Sequence, residues 1–165
     1  MPKSSKSGEP KGDLKVGDPA PNFELPTAGG GRVSLADLKG KRVVLYFYPK
    51  DDTSACTQEA LNFTEKTRQF AAANAVVVGV SRDKPAKHEK FAAKYGLKHI
   101  LGSDEEAEMC ARYGVWVEKK MYGRVHMGIE RSTFLINEKG RIKRIWRKVK
   151  VPGHVEEVLT EVNAL

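Results

Sequence analysis

The sequence contains two cysteines, Cys56 and Cys110, among 165 residues. Two cysteines do not form a disulfide framework in a chain of this length, so the sulfurs are expected to serve chemistry or packing. The sequence also lacks an apolar run that could span a bilayer. Its basic first residues are not followed by the apolar stretch of a secretory signal. These absences predict a cytoplasmic protein with no membrane partner.

Signals for a bound metal or cofactor are also missing. The four histidines, His88, His99, His126 and His154, show no ligand spacing with one another or with the cysteines. Zinc sites need such spacing, so we predict no metal. No glycine-rich phosphate loop is present, so we predict no nucleotide cofactor.

Positive charge is in excess, with a formal net charge of +8. The densest basic stretch, residues 139–150, alternates in part with apolar residues, which is typical of the solvated face of a strand pair. No zinc-finger or helix-turn-helix pattern accompanies it, so a nucleic-acid partner is not expected. Residues 1–14, rich in Lys, Ser, Gly and Pro, are predicted to be a disordered basic tail, and residues 15–165 one domain.

Hydrophobic patterning predicts an α/β fold. Residues 43–48 and 75–80 are continuous apolar runs typical of strands buried on both faces, and residues 54–70 between them have helical periodicity. This βαβ unit implies parallel strands. A hairpin follows, with strands over 132–136 and 142–146. Further predictions are an edge strand near Phe23 paired with 33–35, a helix from Pro85, a short strand at 99–101, a helix over 105–113 and a C-terminal helix carrying Val155 and Val162. The order predicts a mixed sheet flanked by helices, which is the thioredoxin-like plan preceded by an N-terminal extension.

Cys56 is the candidate for chemistry. It follows a strand end and opens a helix, where unpaired N–H groups and the helix dipole favour a thiolate. Thr53 can hydrogen-bond the sulfur or a bound oxygen, and the rigid ring of Pro49 can shield the sulfur from water. A disulfide-exchange motif would need a second cysteine at the position of Glu59. A lone activated thiolate suits attack on an O–O bond, which converts it to sulfenic acid.

The segment PKDDTSAC at 49–56 resembles the active-site signature of the peroxiredoxins. It is most similar to the bacterioferritin comigratory, or Q-type, branch. The resemblance continues in GVSRD at 79–83, YGVW at 113–116 and GIERSTFLIN at 128–137, and it covers essentially the whole of 15–165.

This resemblance implies a role for each matching residue. Cys56 corresponds to the peroxidatic cysteine, Pro49 to the shielding proline, Thr53 to the threonine that orients the peroxide and Arg131 to the active-site arginine. Glu59 is expected to orient Arg131. The implied activity is a thiol-dependent peroxidase acting on hydrogen peroxide and organic hydroperoxides in antioxidant defence. Its implied reductant is thioredoxin, glutaredoxin or a small thiol, and the implied assembly is a monomer or weak homodimer.

The sequence departs from these relatives in its resolving cysteine. The two usual positions are occupied by Leu61 and, within 89–94, by residues other than cysteine. Cys110 is the remaining candidate, but its spacing with Ala107 and Ala111 is typical of a small buried side chain. We therefore expect a one-cysteine mechanism. Two alternatives remain: a chaperone or DNA-shielding protein that uses the basic surface, and a redox sensor.

Overall fold

The computed structural model describes residues 14–165. The predicted basic tail over 1–14 therefore lies outside the described residues, apart from Leu14. This leucine is half-buried and packs against the core.

Nine strands and five α-helices follow one another along residues 14–165. The strands are β1 (Glu24–Pro26), β2 (Arg32–Ser34), β3 (Arg42–Phe47), β4 (Ala75–Ser81), β5 (Ile100–Ser103), β6 (Trp116–Met121), β7 (Arg124–Ile129), β8 (Ser132–Ile136) and β9 (Ile142–Trp146). The helices are α1 (Ser54–Glu65), α2 (Thr67–Ala72), α3 (Pro85–Tyr95), α4 (Glu108–Arg112) and α5 (His154–Asn163).

Five strands form the central sheet, in the order β9-β8-β3-β4-β5. β3 and β5 both pair parallel with β4, whereas β8 runs antiparallel to β3 and to β9. The strand β3 is central and almost wholly buried, as its continuous apolar sequence predicts. The mixed sheet confirms the predicted thioredoxin-like architecture.

The two faces of the sheet carry separate hydrophobic cores. Successive residues of a strand point to opposite faces, so Leu45 and Phe47 contribute to one core and Val44 and Tyr46 to the other. The first core lies beneath the β1–β2 hairpin and α4. The second lies beneath α1, α2, α3 and α5. None of the helices over residues 14–165 is long and apolar enough to cross a membrane.

Three elements differ from the sequence predictions. The helix predicted over 54–70 is divided at Lys66, whose backbone (φ −101°, ψ 12°) leaves the helical region. The helix predicted over 105–113 is shorter, because Ala107 before it is left-handed at φ 62°. The hairpin formed by β6 and β7 was not predicted. Most of its residues are exposed, so the strands have no core-facing pattern to reveal them.

Candidate active site

Cys56 is the third residue of α1 and follows the loop that leaves the central strand β3. The first i→i−4 bond of this region runs from Thr57 N to Thr53 O, at 2.8 Å. The N–H of Cys56 precedes that bond, so it belongs to the group of amides for which the helix supplies no acceptor. The side chain is 1% exposed. The sulfur is thus enclosed at the positive end of a helix, where a thiolate is favoured.

The sheet register brings Arg131 to this helix from a distant part of the sequence. Phe47 at the end of β3 pairs with Ser132 at the start of β8, so Arg131 lies beside the loop that leads to Cys56. Arg131 Nη2 donates to Cys56 Sγ at 3.3 Å, and Nη1 donates to Glu59 Oε1 at 2.6 Å. The guanidinium therefore joins the sulfur to a carboxylate one turn further along α1.

Charges at this site are held out of solvent. Glu59 is fully buried, and its Oε2 atom has no hydrogen-bond partner among residues 14–165. Burial raises the pKa of Glu59 to about 7, although the charge of Arg131 opposes this change. Burial also works against the charge on Arg131, but Glu59 and the Cys56 sulfur outweigh it and raise the pKa of Arg131. A cation is therefore always present beside the sulfur.

Thr53 and Pro49 lie on the exposed loop between β3 and α1. The Thr53 hydroxyl donates to Lys50 O at 2.8 Å, and within the described residues it makes no hydrogen bond to the sulfur. The hydroxyl proton is thus engaged by the Lys50 carbonyl, and the predicted role of Thr53 toward the sulfur or a bound oxygen stays a prediction. The hydroxyl oxygen retains its capacity to accept a hydrogen bond from a bound molecule. Pro49 is exposed, and its shielding role stays a prediction.

Sequence reasoning did not single out two acidic residues and a histidine that cluster at the active-site loop. Asp51, Asp83 and His88 place one potential ligand atom each within 4.8 Å of one another. His88 Nδ1 lies 2.6 Å from Asp51 Oδ2, and Asp83 Oδ2 accepts from Asp51 N at 2.7 Å and from Ser81 Oγ at 2.8 Å. These hydrogen bonds engage the atoms that would otherwise bind a cation, so the cluster is an internal network.

Cys110 and Cys56 belong to different hydrophobic cores. Its side chain is fully buried in the core beneath α4, whereas Cys56 belongs to the core on the opposite face of the sheet. Asp104 Oδ2 accepts the Cys110 N–H at 2.8 Å. Burial, helped by the charge of Asp104, raises the pKa of the Cys110 thiol far above its usual range. The thiol therefore stays protonated where it lies, and a disulfide with Cys56 would require opening of the core.

Comparison with known proteins places this arrangement in a family. The model of the AhpC/TSA family matches residues 16–145. The chain is 51% identical over 146 residues to the Coxiella burnetii bcp protein, named as a peroxiredoxin, covering 88% of this chain and 97% of that one. It is 48% identical to peroxiredoxin Bcp of Bacillus subtilis, covering 88% and 93%. A solved structure of the Xanthomonas campestris bacterioferritin comigratory protein, described for alkyl peroxide reduction, is 42% identical with a TM-score of 0.83, covering 86% and 90%.

The fold and these similarities define the class of this protein, which is a thiol-dependent peroxidase. The chain belongs to the AhpC/TSA family, in the branch of the bacterioferritin comigratory peroxiredoxins. The resemblance noted in the sequence is thereby confirmed.

Proposed function

We propose that this chain reduces hydrogen peroxide and organic hydroperoxides through the thiolate of Cys56. The observation that carries the proposal is the 3.3 Å contact between Arg131 Nη2 and Cys56 Sγ. A permanent cation at hydrogen-bond distance favours the thiolate, which is the nucleophilic form of cysteine. The alkyl peroxide reduction described for the Xanthomonas campestris relative supports organic hydroperoxides as substrates.

The oxidation step follows from these contacts. The Cys56 thiolate attacks the terminal oxygen of the peroxide, an S–O bond forms and the O–O bond breaks. The sulfur is oxidised by two electrons to sulfenic acid. The remaining oxygen leaves as an alkoxide or hydroxide and takes a proton from solvent to become an alcohol or water. Arg131 stabilises the negative charge as it moves from sulfur to the departing oxygen.

Thr53, Pro49 and Glu59 support this step in the proposal. The Thr53 hydroxyl accepts a hydrogen bond from the hydroperoxide O–H and so directs the terminal oxygen to the sulfur. Pro49 has no backbone N–H and limits access of water. Glu59 fixes the guanidinium plane of Arg131 through the 2.6 Å hydrogen bond.

Reduction of the sulfenic acid is assigned to an external thiol. The usual resolving positions lack cysteine, and Cys110 is buried on the other face of the sheet. One thiolate displaces hydroxide from the sulfenic acid to give a mixed disulfide, and the hydroxide takes a proton from solvent to become water. A second thiolate attacks the mixed disulfide and releases the Cys56 thiolate. Thioredoxin, glutaredoxin or a small thiol can supply both equivalents. We further propose a cytoplasmic antioxidant role for a monomer or weak homodimer.

Peroxide consumption with an excess of dithiothreitol tests the proposal. Cys56→Ser should abolish thiol-dependent consumption of cumene hydroperoxide. Cys110→Ser is the matched control, because it makes the same chemical change at the other cysteine and should leave turnover near the wild-type rate. Loss of turnover in a folded Cys110→Ser protein would show that the one-cysteine mechanism is wrong.

A further inference from the structure

One acidic side chain of the active-site loop, residues 49–53, turns inward while its neighbours face solvent. Asp51 is 2% exposed, whereas Pro49, Lys50, Asp52 and Thr53 are all exposed. A carboxylate is buried only when partners satisfy it. The partners of Asp51 therefore determine the path of the loop that carries Pro49 and Thr53.

A fully buried histidine supplies the main partner. Asp51 Oδ2 lies 2.6 Å from Nδ1 of His88, which is 0% exposed and comes from α3. The other ring nitrogen, Nε2, lies 3.0 Å from the carbonyl oxygen of Gly102 in β5. A carbonyl oxygen is only an acceptor, so Nε2 carries a proton and donates to it. The ring is thus fixed at both ends, between the sheet and the loop.

Further hydrogen bonds hold Asp51 and the next loop residue, Asp52. Tyr48 Oη donates to Asp51 Oδ1 at 2.6 Å, and the Asp51 N–H donates to Asp83 at 2.7 Å. Asp52 has a left-handed backbone with φ 63°, which side chains other than glycine adopt only when their surroundings hold them there. Its carboxylate accepts from two residues of α3, Lys94 at 2.9 Å and Tyr95 at 2.7 Å.

We propose that His88 is a positioning residue for the peroxidase reaction, acting through Asp51 on the loop that carries Pro49 and Thr53 to the start of α1. This inference rests on the proposed function. Thr53 follows Asp52 directly, and Cys56 lies one helical turn later, so a displaced Asp51 moves the peroxide-orienting hydroxyl relative to the sulfur. The sulfur itself is held by α1 and Arg131, and the hydrogen bonds of His88 go to Tyr48, Asp51 and Gly102 instead.

The proposal separates two reactions of the same cysteine. Oxidation by peroxide needs Thr53 in place, whereas alkylation by iodoacetamide needs only an accessible thiolate. His88→Gln should therefore lower the second-order rate of Cys56 oxidation roughly tenfold to hundredfold, the scale expected when a reacting group is misplaced by about an ångström. Alkylation should stay at the wild-type rate or rise, because the sulfur becomes less enclosed.

The experiment measures both rates on the full chain, by stopped-flow with hydrogen peroxide and by mass spectrometry after iodoacetamide. His126→Gln, the same substitution at an exposed histidine of β7, is the control and should leave both rates unchanged. Equal losses in both rates, or no loss in either, would overturn the positioning role. Failure of the wild-type chain to react with peroxide would instead contradict the proposed function.

Two nearly isosteric variants cover the case in which His88→Gln does not fold, as judged by circular dichroism. Asp51→Asn replaces a carboxylate oxygen of the His88 contact by an amide, and Tyr48→Phe removes a single hydroxyl from the network. Each should slow oxidation more than alkylation, with the larger effect in Asp51→Asn. Unselective or absent effects in both folded variants would overturn the proposal.

Discussion

Replacement of Arg131 by methionine removes the cation from the Cys56 sulfur and keeps much of the side-chain volume. The lost contact is a hydrogen bond of 3.3 Å from a guanidinium whose side chain is 14% exposed. A hydrogen bond to a charged group contributes about 1.5–3 kcal/mol. At about 1.4 kcal/mol per tenfold, loss of this contact corresponds to a factor of roughly 10 to 100 in the reactivity of the sulfur.

Oxidation depends on the same donor more strongly, because negative charge moves to the departing oxygen in the transition state. Loss of one donor to such a developing charge slows enzymes by about 10²- to 10³-fold. We therefore expect oxidation of Arg131→Met by hydrogen peroxide to be slower than wild type by about 10²- to 10³-fold. Alkylation by iodoacetamide should fall by the smaller factor of roughly 10 to 100, because this reaction has no departing peroxide oxygen.

The assay must separate this chemistry from unfolding. Arg131→Met leaves the buried Glu59 without its cation, and breaking a buried ion pair costs about 3–5 kcal/mol of stability. The double variant Arg131→Met/Glu59→Gln removes the unpaired charge and should recover stability without recovering the oxidation rate. If the folded double variant were oxidised at the wild-type rate, the role given to Arg131 would be wrong.

Two predictions concern the pH dependence of stability, measured by urea unfolding between pH 4 and pH 8. Burial raises the pKa of Glu59 in the folded state to about 7 from an ordinary 4.5, so the free energy of unfolding falls as pH rises from 4.5 to 7. Glu59→Gln should remove a decline of about 3 kcal/mol over this range. An unchanged dependence of stability on pH would contradict the burial argument. Burial lowers the pKa of His154 to about 4 from 6.5, so the free energy of unfolding falls as pH decreases from 6.5 to 4. His154→Gln should remove up to about 3 kcal/mol of that loss. If the stability of His154→Gln fell with decreasing pH as steeply as that of wild type, this histidine would not be held neutral in the folded protein.

Much of the fold could be predicted because local patterns and burial agree. The apolar runs of β3 and β4 mark the centre of the sheet. The hairpin of β8 and β9 is equally clear, since Asn137 Oδ1 accepts the N–H groups of Lys139 and Arg141 and Gly140 supplies the positive φ that the turn needs. The sequence pattern that predicts this hairpin therefore lies within a few consecutive residues.

The parts that could not be predicted from pattern depend on long-range contacts. Cys56 and Arg131 are 75 residues apart, and family resemblance, not periodicity, linked them. The Asp51–His88 pair spans 37 residues, and an Asp in a polar loop has the pattern of an ordinary exposed residue. The break at Lys66 has no proline or glycine to mark it in the sequence.

Identification of the oxidised cysteine tests the central claim most directly. The reduced chain is treated with one equivalent of hydrogen peroxide and a sulfenic-acid reagent such as dimedone, and the adduct is located by mass spectrometry. We predict a single adduct on Cys56 and a reduced Cys110. An intramolecular Cys56–Cys110 disulfide would contradict the one-cysteine mechanism, and an unmodified chain would contradict the peroxidase function itself.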